Sequence, residues 1–267
     1  MTMGTLTSLY RHPVKGFTPE PLASVRLAPG RGFPFDRAFA VENGPSGFDP
    51  DAPAFVPKQK FTVLASLPQV AAAATRYDEA SGLLHAHAPG LAPFAGRLDE
   101  ARGRQAFVAW LGELLGEAAQ GPLRVVTAPG EHRFTDHPEG QVSLINLASV
   151  RDLSRRMGVA LDPLRFRANL YVEGWPAWAE LDWTGETLGL GGARASVFKP
   201  IVRCAATHVN PATAARDADV TRALFEAYGH MHCGVYLKVT HAGTIAPGDT
   251  CQGPAAAADT EREPQWA

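Results

Sequence analysis

Cys204 lies in the run Val197-Phe198-Lys199-Pro200-Ile201-Val202-Arg203-Cys204-Ala205-Ala206-Thr207. An arginine precedes it directly, and Lys199 stands five residues upstream. Nearby cations favour thiolate over thiol, and the thiolate is the form that ligates a metal or attacks an electrophile. Small and β-branched neighbours predict a strand end with room for the sulfur. Further basic residues follow turn signals. Lys15 lies in His12-Pro13-Val14-Lys15-Gly16, and Arg37 in Phe35-Asp36-Arg37-Ala38-Phe39. A third group is Arg165-Phe166-Arg167-Ala168-Asn169. If extended, it puts Arg165, Arg167 and Asn169 on one face. Guanidinium groups grip anions with two parallel hydrogen bonds, and lysine adds a point charge. Together these side chains describe a cradle for an anionic, hydrogen-bonding ligand beside a sulfur.

Each feature also has a plainer reading. A lone cysteine is often a small buried hydrophobe, and single cations are often surface charge. Cys233 precedes a core-like strand and reads as structural; Cys251, near the tail, reads as incidental. Trp175, Trp178 and Trp183 crowd nine residues, as aromatics packed under a loop do. Cys204 with His208, and His230, His232 and Cys233, offer zinc-type ligands. The paired Cys-x-x-Cys or His-Glu-x-x-His spacing is missing, so zinc is the weaker alternative. There is no Gly-rich phosphate loop and no Gly-x-Ser-x-Gly elbow.

The elements that must position these groups are mostly short strands. The chain has 267 residues, 45% hydrophobic and 19% charged, which suits one large or two small globular domains. Its 26 glycines and 22 prolines punctuate short apolar runs. Strands are expected at Thr5–Tyr10, Leu22–Leu27, Phe35–Val41, Phe61–Leu67, Val70–Tyr77, Leu83–Ala88 and Leu123–Thr127. More are expected at Ala168–Val172, Thr187–Leu190, Ala193–Phe198, Val202–Val209 and Val235–Thr240. Residues 43–58 read as a long loop. Helices are expected at about Arg104–Ala119, at Leu147–Met157 between Asn146 and Gly158, and at Val220–Tyr228 between Asp219 and Gly229. The strands lack a βαβ rhythm, which argues against a doubly wound sheet. The expected class is mainly β with some α.

The formal net charge of -2 gives no basic field for nucleic acid or an anionic membrane. No apolar run is long enough to span a bilayer, and no signal peptide is visible. Three cysteines make no disulfide framework, so a reducing cytoplasm is expected.

From about Leu9 to Gly248, the order and spacing of these segments resemble the MOSC family. The likeness is to its two-domain members, such as the mitochondrial amidoxime-reducing component and its bacterial relatives. The matching stretches are Tyr10–Gly16, Gly32–Val41, Leu147–Leu153, Arg165–Val172, Trp178–Trp183, Lys199–Thr207 and Gly234–Asp249. The resemblance implies an N-terminal β-barrel-like domain over residues 1–122, a MOSC β-barrel with a few short helices over 123–253, and a loose tail over 254–267. It implies a molybdenum cofactor, a pterin dithiolene with a phosphate tail. The catalytic and metal-ligating role falls on Cys204, with Val202 and Arg203 against the cofactor. Lys15 and Arg37 match the family's phosphate-side and pterin-side cations, and Ser149, Arg167 and Asn169 its other pterin contacts.

The implied activity is reduction of small N-hydroxylated or N-oxide-type substrates. Electrons would come from separate flavin, iron–sulfur or haem proteins. The alternative is a carrier of the cofactor, or of sulfur on Cys204, without turnover. This sequence departs from relatives at Gly16, where many have serine, and at Ile201, where many have a second cysteine. It also has Val209-Asn210-Pro211-Ala212-Thr213-Ala214 where relatives often have Val-Asp-Pro-x-Thr-Gly. The loss at Ile201 argues against a two-cysteine redox pair.

Overall fold

A computed structural model of the protein describes residues 1–139 and 142–254. Among these residues the fold is mainly β with three α-helices and a closed barrel, the expected class. The first half contains β1 (Thr2–Arg11), β2 (Glu20–Pro21), β3 (Val25–Leu27) and β4 (Phe39–Asn43). There follow β5 (Ala74–Asp78), β6 (Leu83–His87), β7 (Phe94–Arg97), α1 (Ala101–Leu115) and β8 (Leu123–Thr127). The second half begins with β9 (Val142–Asn146), α2 (Leu147–Met157), β10 (Leu170–Glu173) and β11 (Thr187–Leu190). It ends with β12 (Ala193–Val202), α3 (Val220–Tyr228), β13 (His232–His241), β14 (Gly243–Ile245) and β15 (Thr250–Gly253).

Seven strands, β10-β9-β13-β12-β11-β15-β1, form the barrel, and β1 closes it by pairing back onto β10. Closure leaves no open sheet edge among these strands. The N-terminal strand thus completes a barrel otherwise built by the second half of the chain. Alternating inward side chains fill it, among them Leu6, Leu144, Val172, Leu190, Val197 and Leu237. Fully burying each such side chain contributes roughly 1.5–3 kcal/mol.

The rest of the first half forms the three-stranded sheet β5-β6-β7 and the ribbon β4–β8. Phe107, Trp110, Leu111 and Leu115, one face of α1, pack into the core of this lobe.

α2 and α3 begin and end where their caps predict. The Asn146 side chain accepts from Ala148 N, and Asp219 accepts from Arg222 N. Gly158 and Gly229 take the left-handed conformation that ends each helix. Other segments differ from the sequence expectation. Residues 61–67 form turns rather than a strand, with Phe61, Val63, Leu64 and Leu67 buried around them. The strand expected at Val202–Val209 stops at Val202, and Ala205–His208 is a short 3-10 helix. Cys251 is not incidental: it is fully buried in the barrel core, and burial pushes its thiol up to about 12. Cys233 is likewise buried, its thiol also raised to about 12 by desolvation. Of the expected tail, residues 255–267 lie outside the described residues. No helix among the described residues is long and apolar enough to cross a membrane.

Candidate functional site

A cavity of about 350 Å³ lies where the barrel meets the first lobe. It is lined by Lys15, Arg37, Arg167, Asn169, Val202, Arg203 and Cys204, so seven of the eight expected site residues converge there. Ser149 does not. It sits on α2, where its hydroxyl donates to the buried carboxylate of Glu180 at 2.8 Å and accepts from Trp178 N.

The cysteine stands immediately after β12 and is half-buried at the cavity wall. Lys58 Nζ donates to Cys204 Sγ at 3.1 Å and lies 3.5 Å from Asp136 Oδ2. Burial works against the charged Lys58, but the Asp136 carboxylate and the Cys204 sulfur outweigh it and raise its pKa. Lys15 Nζ bonds Phe134 O at 2.9 Å and Asp136 Oδ1 at 2.5 Å. Asp136 is itself desolvated, yet Lys15 and Lys58 hold it far below the usual carboxylate range.

The turn after Lys15 needs glycine. Gly16 has φ +93°, and a Cβ there would lie 2.3 Å from the Thr62 carbonyl oxygen. A serine side chain has no room at this position.

Arg37 and Arg167 both adopt left-handed backbone, with φ of 48° and 52°. Such conformations cost non-glycine residues about 1–3 kcal/mol each and cluster at functional sites. Asp36 fixes the first of them. It accepts from His12 N at 2.7 Å and pairs with the Arg37 guanidinium. Desolvation would raise the Asp36 pKa, but Arg37 and His12 hold it well below the carboxylate range.

The stretch 165–169 is not the alternating strand expected. Pro163–Phe166 form a 3-10 turn, and strand β10 begins only at Leu170. Proline at the first position and the Asp162 cap favour that turn. Arg165 consequently points to Asp217 at 2.5 Å and to His208 O at 3.0 Å. Arg165 Nε and Arg167 Nη2 are both buried and without a hydrogen-bond partner, but the Arg165 guanidinium is paired with Asp217, whereas Arg167 has no carboxylate partner among the described residues. Burial, and then repulsion from Arg37, lower the Arg167 pKa to about 10.

Two expected ligand contacts are occupied by protein. Arg203 donates to Cys233 O through Nε at 2.7 Å and Nη2 at 2.5 Å, and to Phe166 O through Nη1 at 2.7 Å. It clamps the residue before Arg167 to the residue before Cys204. Asn169 Oδ1 accepts from Ser143 N and Oγ, and its amide donates to Tyr10 O. Both act through backbone positioning.

Lys58, Asp136, His137 and Tyr236 also line the cavity and were not singled out from sequence. Lys58 falls at the end of the expected loop, and Asp136-His137 follow a lone apolar residue, Phe134, in a run without periodicity. Their spacing carries no motif.

Among the cavity-lining side chains, seven are Lys or Arg and two are Asp. A cavity of that charge with a soft sulfur in its wall suits a polyanionic ligand that carries a thiophilic metal. For zinc, no group of three or more His, Cys, Asp or Glu side chains converges among the described residues. His208 Nε2 instead contacts Thr221 Oγ1 at 2.9 Å.

Two family models match the chain. Residues 131–252 match the MOSC domain, and residues 3–120 match the MOSC N-terminal beta barrel domain. No curated protein matches the chain. Among solved structures, the YUAD protein from Bacillus subtilis is 13% identical with a TM-score of 0.44, covering 93% of this chain and 94% of its own. YiiM from Geobacillus stearothermophilus is 21% identical with a TM-score of 0.35, over 47% of this chain and 64% of its own. YiiM from Escherichia coli is 18% identical with a TM-score of 0.33, over 46% of this chain and 59% of its own.

Proposed function

Because the chain belongs to the two-domain MOSC family, we propose that it binds a molybdenum cofactor of the molybdopterin type and reduces N-hydroxylated or N-oxide-type substrates. One observation carries the proposal. Cys204 and the unpartnered Arg167 Nη2 face a single cation-lined cavity. A buried cationic donor without a partner is costly, and an anionic ligand removes that cost. The cofactor's phosphate and pterin edges supply such acceptors, and its metal accepts a thiolate.

When bound, the molybdenum supplies two-electron oxygen-atom transfer. The chain's residues hold and orient. Cys204 would ligate the metal, with Lys58 beside its sulfur. Lys15, Arg37 and Arg167 face the anionic groups, while Arg203 and Asn169 fix the backbone that carries Arg167 and Cys204. The net reaction is R–NHOH + 2 e⁻ + 2 H⁺ → R–NH₂ + H₂O. Cys233 and Cys251 are buried, so Cys204 acts without a second thiol. In this reading a separate flavin, iron–sulfur or haem protein would supply the electrons. A reducing cytoplasm keeps Cys204 a free thiol.

The test is expression in a cofactor-competent host, molybdenum and pterin quantification, and reduction of benzamidoxime with an artificial electron donor. A second reading has one observation in its favour. Val202, two residues before Cys204, is 57% exposed, so the sulfur lies near a surface that a partner reaches. A persulfide on Cys204 found by mass spectrometry, without turnover of N-hydroxy compounds, would assign a carrier instead.

A further inference from the structure

The cavity's cations can be sorted by what neutralises them. Arg37 pairs with Asp36, Lys15 and Lys58 share Asp136, and Arg165 pairs with Asp217. Arg203 is covered by two backbone carbonyls. That leaves two without an acidic or carbonyl partner among the described residues, Arg167 and Lys199. The only contact of the Lys199 ammonium among them is His137 Nε2, at 3.4 Å. Neighbouring Lys238 is already paired with Glu139 at 2.6 Å.

The two free cations occupy different depths. Arg167 Nη2 is inaccessible to solvent, within electrostatic reach of Asp36, whose side chain is 3% exposed. Lys199 is half-buried on β12, beside His137, and Val202 at the end of the same strand is 57% exposed. The inner cation belongs to the cofactor in the reading above. The half-buried one is left for a second anionic group.

The wall beside Lys199 is aromatic. The rings of His137 and Tyr236 lie 5.9 Å apart, and both line the cavity. Burial, and then the charge of Lys199, lower the His137 pKa, so this ring stays neutral and competes neither as a cation nor as a counter-ion. A neutral aromatic wall next to an unpaired ammonium fits a flat ring that carries an anionic substituent.

We propose that Lys199, with His137 and Tyr236, forms a substrate subsite for aromatic N-oxygenated compounds bearing a carboxylate or similar anionic group. This rests on the N-reductase reading and narrows its substrate class. A charge-assisted contact of this kind corresponds to about tenfold or more in relative specificity. Salt screens a half-exposed pair, so the preference shrinks as ionic strength rises.

The experiment compares benzamidoxime with 4-carboxybenzamidoxime on the cofactor-loaded protein and on Lys199→Met and Lys199→Arg. The expected result is a kcat/KM ratio of about ten or more in favour of the carboxylate, carried by KM. That ratio falls to about one in Lys199→Met, and Lys199→Arg restores most of it. A ratio of one or less in the parent protein overturns the proposal, as does an unchanged ratio in Lys199→Met. If neither compound is reduced, the N-reductase reading fails. The subsite is then decided by calorimetric binding of the same two compounds: equal affinities overturn it, and a preference lost in Lys199→Met sustains it.

Discussion

Arg37 Nη2 donates to the backbone carbonyl of Arg167 at 2.8 Å, and both residues hold left-handed backbone. One arginine thus supports the strained conformation of the other. The pair joins a turn before β4 to the turn before β10, and so stitches the first lobe to the barrel at the cavity. Two cations so placed repel one another, which lowers the Arg167 pKa beyond the effect of burial. The cavity is stable in this form but suited to an anion.

Arg167→Met is expected to separate stability from cofactor binding. Removing an uncompensated buried cation raises the unfolding free energy of the cofactor-free protein by about 1–2 kcal/mol. The same change lowers cofactor affinity about tenfold or more. Urea unfolding and pterin retention on a desalting column measure the two effects.

Gly16→Ser is expected to destabilise the protein. Both φ +93° and the 2.3 Å approach of Thr62 O oppose any Cβ. The expected loss is about 2 kcal/mol or more, read as a lower urea midpoint.

Arg203→Met is expected to cost about 2–4 kcal/mol, because the Cys233 and Phe166 carbonyls lose their donors in a buried place. Its second effect is on Cys204. With the clamp gone, alkylation of Cys204 by iodoacetamide changes rate in the native protein, which peptide mapping detects.

How much of this was legible in the sequence depended on whether the signal was local. α2 and α3 were readable because their caps, Asn146 with Gly158 and Asp219 with Gly229, sit within a turn of the helix ends. The gathering of Lys15, Arg37, Arg167 and Cys204 followed from the family resemblance, since no spacing within one chain shows that residues so far apart meet. What could not be read were hydrogen bonds between distant segments. Arg203 resembled a ligand contact until its donors were found on Cys233 and Phe166. Ser149 resembled another until it was found on Glu180. Lys58 follows a Pro-rich loop and meets Cys204 across 146 residues of chain. Residues 165–169 alternate like a strand, but the Asp162-Pro163 cap starts a 3-10 turn that takes in Arg165 and Phe166, and Arg167 ends it in left-handed backbone.

Glu180 sets a pH dependence of stability. It is fully buried, and desolvation pushes its carboxyl up to about 7 despite hydrogen bonds from Asn146 and Ser149. Below the ordinary value near 4.5, both folded and unfolded chains hold the proton. Between there and about 7, the unfolded chain releases it and the folded chain keeps it, so stability falls as pH rises. Relative to Glu180→Gln, the parent protein is expected to lose about 3 kcal/mol between these limits, then level off. Urea unfolding of both proteins across the pH range checks this.

The central claim is that Cys204 ligates molybdenum in this cavity. X-ray absorption at the molybdenum edge, on protein from a cofactor-competent host, tests it most directly when the parent is compared with Cys204→Ala. The expected result is one sulfur neighbour fewer around the metal in the variant, with loss of benzamidoxime reduction. An unchanged sulfur shell with full molybdenum content and activity in Cys204→Ala would contradict the account.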